Sequence, residues 1–284
     1  MLSVLLSVIL YKVGGIMSNT KLNRSWRRMA AAIFVKPLDG RVSGFYDLDM
    51  TEVNKALKIW NEQSDVKINV MHFFNCALGH TLKYYAPELN CYMQWGDIVE
   101  RETVTISTAV LVGKDLTTVK VKDTHLKNVL QVATETVNYV EARRSGRDDK
   151  ALVKRHSLSK LPWPFRAWVF RGLRWLTYEW GWTIPNVGFS KDMFGSVLVS
   201  NIGSLGLDYG IPALMPASNL SFVQAIGYVK EKPVVKDGEI VIQSVLPISA
   251  TFDHRIVDGF HVSKYLVGLK HYFQNPHELM FDTE

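Results

Sequence analysis

The last quarter of the chain leaves few folds open. Residues 222–230 and 240–250 are apolar, β-branched runs of strand type. Between them Asp237-Gly238 separates Val234-Val235 from Ile240-Val241, a strong short-range signal for a two-residue hairpin turn. The second run passes through Thr251-Phe252-Asp253 into His254-Arg255-Ile256-Val257-Asp258-Gly259, after which residues 262–273 have helical spacing. A histidine thus stands where a strand ends and before a helix begins. Histidine is the side chain best suited to proton transfer near neutral pH, and loops held by rigid elements are where chemistry tends to sit. His254 is therefore the first catalytic candidate. Gly259 marks a place where an unusual backbone conformation or a close approach is expected.

The rest of the chain reads as a mixture of helices and strands. A short helix is expected over 24–34, a strand over 42–50, and a helix over 51–60 with Thr51 as its N-cap. Residues 69–85 have helical apolar spacing and stop before Pro87. Strands are expected over 104–112, 116–121 and 196–200, and a helix with a basic end over 126–144. His72 and His80 lie eight apart on one expected helix without a third ligand, so they read as packing or surface residues, as does His261. Asn201 and Asp253 read as turn and loop residues. There is no repeat, no glycine-rich phosphate loop and no zinc-type spacing, so no metal is expected.

Cys76 and Cys91 do not make a disulfide scaffold in so long a chain, which points to a reducing, cytoplasmic setting. The net charge of +6 suits an anionic partner; coenzyme A, nucleic acid and an anionic membrane all fit. Residues 1–10 are apolar, too short for a spanning helix and without a secretory leader's basic start or cleavage site. A tail, a shallow anchor, or an extension ahead of a start at Met17 remain open for 1–26.

Three stretches together carry a resemblance: Phe194–Gly203, Ala225–Val241 and Ser249–Gly259. They resemble the catalytic domain of the dihydrolipoamide acyltransferases of 2-oxoacid dehydrogenase complexes. Arg27-Arg28-Met29-Ala30-Ala31-Ala32 is similar to that family's opening basic helix, and 113–123 to its strand pair. The likeness implies an α+β, chloramphenicol acetyltransferase-like fold over 27–284, a mixed sheet with flanking helices. It implies a homotrimer, or a cage of trimers, with sites between subunits. It also implies acyl transfer between coenzyme A and a thiol. His254 would be the general base, Ser200 of a neighbouring subunit the oxyanion donor, and Asp258 a loop support tied to Arg27 or Arg28. Acyl-CoA is then a substrate, and no metal takes part.

Two departures limit the analogy. About 26 residues precede Arg27, too few for a lipoyl domain, so the chain is expected to carry no lipoyl group and to stand alone, meeting a lipoyl domain in trans or another acceptor. Second, residues 147–191 intervene where the family runs straight on to the Ser200 strand. They hold Trp163, Trp168, Trp175, Trp180 and Trp182 with Lys154, Arg155, Lys160, Arg166, Arg171 and Arg174. On an expected helix over 165–180, Phe165, Trp168, Val169, Leu173 and Leu176 share a face. Aromatics beside arginine suit an anionic membrane interface through 161–182, a partner, or the chain's own subunit. The aromatics are clustered rather than spaced for base stacking, so nucleic acid is not an expected partner. A trimeric scaffold without catalysis is the alternative to an enzyme.

Overall fold

The computed structural model describes residues 40–112, 115–144, 165–184, 190–215 and 218–280. The elements run β1 (Arg41–Asp49), α1 (Thr51–Gln63), α2 (Val70–Tyr84), β2 (Cys91–Gln94), β3 (Asp97–Glu100), β4 (Ile106–Val112) and β5 (Asp115–Val121). There follow α3 (Val129–Arg144), α4 (Phe165–Tyr178), β6 (Val197–Asn201), β7 (Phe222–Ile226), β8 (Lys230–Lys236), β9 (Glu239–Asp253) and α5 (Gly259–Gln274). The helix expected over 24–34, with Arg27 and Arg28, lies outside the described residues.

One mixed sheet has the order β1-β9-β7-β6-β4-β5, with β8 paired to the far end of β9. β6 runs parallel to both β4 and β7, and the other neighbours are antiparallel. Helix α2 touches α3 and α5, while α3 packs on β4 and β5 and α5 on β1. Helices α2, α3 and α5 therefore form one layer reaching across the sheet from edge to edge. Helix α2 lies at the centre of that layer and buries every residue from Met71 to Leu82. A helix buried all round needs its polar groups satisfied from within. His72 Nδ1 accepts the Asn69 N–H in a reciprocal N-cap, and His80 Nε2 bonds the Lys127 carbonyl at 3.1 Å. The two histidines are core residues, and burial lowers the pKa of His72 to about 4.

Several boundaries differ from the sequence expectation for local reasons. Thr51 is the first helical residue of α1 rather than its cap; the Asp49 carboxylate accepts both its N–H, at 2.8 Å, and its hydroxyl, at 2.6 Å. Helix α3 starts later than Leu126, because Asn128 and Gln131 cap it reciprocally at 2.9 Å. The run 222–230 is two elements. It breaks at Gly227, where a Cβ would lie 1.9 Å from the Asp208 carbonyl oxygen. Asp237 and Gly238 turn the β8–β9 hairpin with φ of 52° and 85°, as a primed two-residue turn requires. The β2–β3 hairpin was not expected. Trp95 and Gly96 turn it with φ of 50° and 79°, and a tryptophan there gives no turn signal.

Helix α4 docks on that hairpin. The Glu179 carboxylate accepts the Trp95 N–H and the Glu179 carbonyl accepts from Gln94 Nε2. Trp95, Trp175 and Trp180 meet edge to face. Thr177 and Tyr178 are buried, whereas Trp168 and Val169 on the expected apolar face stay exposed, as does Phe170 outside it.

Candidate active site

His254 follows the last residue of β9, and the turn that carries it is bonded at every step. The Asp253 N–H donates to the Ser221 carbonyl at 2.7 Å, tying the strand end to the start of β7. The His254 N–H donates to the Gly40 carbonyl at 2.6 Å. Ile256 and Val257 both donate their N–H groups to the Asp253 carbonyl, at 2.9 and 3.1 Å. This tight turn aims the Val257 carbonyl at the imidazole, 2.7 Å from Nδ1. A carbonyl only accepts, so Nδ1 carries the proton of the neutral ring and the lone pair sits on Nε2. A half-buried imidazole held this way is set up as a base at one defined atom.

Asp258 and Gly259 open α5. The Asp258 carboxylate accepts the N–H groups of Phe260 and His261 at 3.1 and 3.3 Å, and the Asp258 N–H donates to His261 Nδ1 at 3.2 Å. Asp258 is thus the N-cap of α5. His261 completes a capping box instead of standing as a plain surface residue. The arginine partners expected for Asp258, Arg27 and Arg28, lie outside the described residues. Gly259 has no positive φ, and no described atom beyond its chain neighbours comes within 4 Å of a Cβ built on it. The single chain gives no packing reason for glycine there.

One feature of the turn escaped the sequence reading. Asp253, read there as a loop residue, forms a buried ion pair with Arg255, their side chains 4% and 8% exposed. Its only sequence signal is an acid and a base two residues apart.

Ser200 lies near the end of β6, half-buried, between Ala109 of β4 and Ala225 of β7. Beyond it Asn201 accepts from the Ser204 N–H at 3.1 Å, a turn role as expected. Gly203 crosses the end of β7 so closely that a Cβ would meet the Gly227 oxygen at 2.3 Å. The chain then runs outward with Leu205, Leu207 and Ile211 exposed at 72%, 50% and 68%. Tyr209 pins this segment: its hydroxyl donates to Asp47, and Lys232 Nζ donates to that hydroxyl at 2.8 Å.

Strand register separates the two candidates. Ser200 pairs with Ala225, which pairs with Ser249. His254 lies five residues beyond Ser249, just past the end of β9. At strand rise that is about 17 Å along the sheet, in addition to two strand spacings across it. Within one chain, His254 and Ser200 sit at opposite ends of the sheet and cannot reach one substrate atom.

The two cysteines are buried thiols. Burial pushes Cys91 up to about 12, which removes it as a nucleophile.

A mixed sheet of this order with helices packed on it has the chloramphenicol acetyltransferase-like fold. The chain superposes on a chloramphenicol acetyltransferase with a TM-score of 0.53 at 12% identity, over 89% of this chain and 97% of the other. Residues 22–155 and 190–281 match the family described as 2-oxoacid dehydrogenases acyltransferase (catalytic domain), and the chain belongs to that family. It is 23% identical over 92% of its length to the dihydrolipoyllysine-residue succinyltransferase component of the 2-oxoglutarate dehydrogenase complex of Haemophilus influenzae, covering 55% of that protein. It is 25% identical to the acetyltransferase component of the pyruvate dehydrogenase complex of Rickettsia conorii, over 77% of this chain and 43% of that one. The chain therefore spans about half the length of the curated relatives it matches. Among solved structures, a probable dihydrolipoamide acetyltransferase from Listeria monocytogenes superposes with a TM-score of 0.63 at 17% identity, 92% of each chain being covered. The dihydrolipoamide acetyltransferase of Azotobacter vinelandii gives 0.61 at 17% identity, over 90% of this chain and 88% of that one.

Proposed function

We propose that the protein is a coenzyme A-dependent acyltransferase acting between CoA and a thiol acceptor such as a lipoyl group supplied in trans. The observation that carries this is the His254 Nδ1 to Val257 carbonyl bond, which places a lone pair on Nε2. His254 Nε2 takes the proton of the attacking thiol, a group whose ordinary pKa of about 8.5 suits imidazole. The thiolate adds to the thioester carbonyl, and the Ser200 hydroxyl donates to the oxyanion that forms. The C–S bond to the first carrier then breaks, and the imidazolium returns the proton to the departing sulfur. In support, the Azotobacter relative is one whose mechanism was probed at a serine, a histidine and an asparagine. Asp258 stands here as a helix cap rather than as an acid beside the ring.

The same reading requires a second copy of the chain. Ser200 and His254 lie too far apart along the sheet to act from one chain, so a cyclic homotrimer would bring the Ser200 end of one copy to the His254 end of the next. Exposed Leu205, Leu207 and Ile211 beside Ser200, and exposed Val235, Ile240 and Ile242 on the β8–β9 hairpin, supply apolar surface for that contact. The test is complementation. His254→Ala and Ser200→Ala proteins, each inactive with acyl-CoA and dihydrolipoamide, are unfolded, mixed and refolded together. Roughly a quarter of the interfaces then pair an intact histidine with an intact serine, and activity returns to that extent. No recovery would sink the shared site. A trimer inactive even as wild type would favour a scaffold.

The exposed aromatic side of α4 supports a further reading of the 161–182 segment. Trp168 and Phe170 stand out beside exposed Arg171, a composition suited to an anionic membrane surface. Co-sedimentation with phosphatidylglycerol vesicles, wild type against Trp168→Glu/Phe170→Glu, checks it; equal binding ends this reading.

A further inference from the structure

We propose that Asp253 and Arg255 are positioning residues that hold the His254 ring in its Nδ1–H tautomer. This rests on the reading of His254 as the acyl-transfer base. Asp253 controls the turn from both of its acceptors. Its carbonyl takes the N–H of Val257, the residue whose own carbonyl holds His254 Nδ1. Its carboxylate takes the Arg255 backbone N–H at 3.1 Å and the guanidinium twice, Nε at 2.8 Å and Nη2 at 2.5 Å.

The pair flanks His254 on both sides and links no distant elements. Among the described residues, every hydrogen bond of the Arg255 guanidinium goes to Asp253, two residues away. A buried pair of this kind is a poor source of stability, because apolar side chains of like volume do as well or better. What it does is shape. A two-pronged guanidinium–carboxylate contact admits one geometry, and here it closes the backbone around the residue between its members. A looser turn lets the Val257 carbonyl swing away from Nδ1. The ring then populates the tautomer with its proton on Nε2, which cannot accept one from a thiol.

Three variants decide the matter, each read two ways. One reading is kcat and KM with acyl-CoA and dihydrolipoamide. The other is the ring ¹⁵N spectrum of His254, assigned by its loss in His254→Ala. Lysine at 255 keeps the charge but not the fork. Arg255→Lys should lower kcat by about 10²-fold, the scale of a small misplacement, with KM held within about twofold. Its His254 signals should shift from the Nδ1–H pattern toward a mixture. Asp253→Asn should do the same or more, but it strands a buried cation. The neutral double variant Asp253→Leu/Arg255→Met strands no charge and should fold with an unchanged melting temperature while losing kcat and the single tautomer. A double variant with wild-type kcat and an unshifted ring spectrum overturns the proposal. If the wild type transfers no acyl group to any thiol, the acyl-transfer reading fails; the ring spectra of the three variants still decide the positioning role.

Discussion

The two ends of the central sheet are built differently. At the β9 end, the turn around His254 is closed by its own residues: Asp253 bonds Arg255, Ile256 and Val257, and Asp258 caps the next helix. At the β6 end, Ser200 is followed by a segment that leaves Leu205, Leu207 and Ile211 in solvent while Asp208, Tyr209 and Gly210 tie it to Lys230, Asp47 and Ser249. The first end has its turn hydrogen-bonded within one chain. The second leaves apolar side chains in solvent. The contrast teaches that one strand end can be fixed by short-range bonds in the chain while another keeps its apolar side chains in solvent; on the proposed reading, the first holds a base and the second brings the oxyanion donor to a neighbouring copy.

Four measurements press on this contrast. The largest effect is expected from His254→Ala, which should lower kcat by about 10²–10⁴-fold, the usual contribution of a general base, without changing oligomeric state. A loss below tenfold would break the assignment. Ser200→Ala should lower kcat by roughly 10²–10³-fold. On the proposed assembly, this end, unlike the turn, should also respond to dilution, with wild-type specific activity falling in step with the loss of oligomer by light scattering.

The third measurement sets the buried histidines against His254. His72 has its pKa lowered by burial from 6.5 to about 4. The unfolded chain therefore takes up this proton first. The contribution of His72 is full above pH 6.5 and is lost as pH falls toward 4, by roughly 3 kcal/mol. Urea titrations of wild type and His72→Gln across that window should converge as pH drops; parallel curves would show that His72 is not the titrating group. The smallest effect is expected from Asp258→Ala, which removes the α5 cap and should lower stability by about 1 kcal/mol. A loss of activity far beyond that of stability would mean that Asp258 does more than cap.

Much of the His254 end was legible in the sequence because it is local. The Asp237-Gly238 turn, the long strand and the following helix are each specified by neighbours in the chain. The Asp253–Arg255 pair is just as local, yet an acid and a base two apart look like surface decoration until burial is known. The break at Gly227 was not legible, because it is imposed by Asp208 crossing from elsewhere. The β2–β3 hairpin hid behind a tryptophan at positive φ, whose reason is its packing against Trp175 and Trp180. The separation of Ser200 from His254, expected from the family resemblance alone, needed register to derive from the chain itself, and no single strand encodes register.

That tryptophan cluster has a use of its own. Its indoles lie 5.5 to 6.3 Å apart at steep angles, so their electronic transitions couple. Coupled indoles of fixed relative orientation are optically active in the near ultraviolet. The protein therefore carries a built-in chromophore that reports whether α4 is seated on its hairpin, readable by circular dichroism with no label attached.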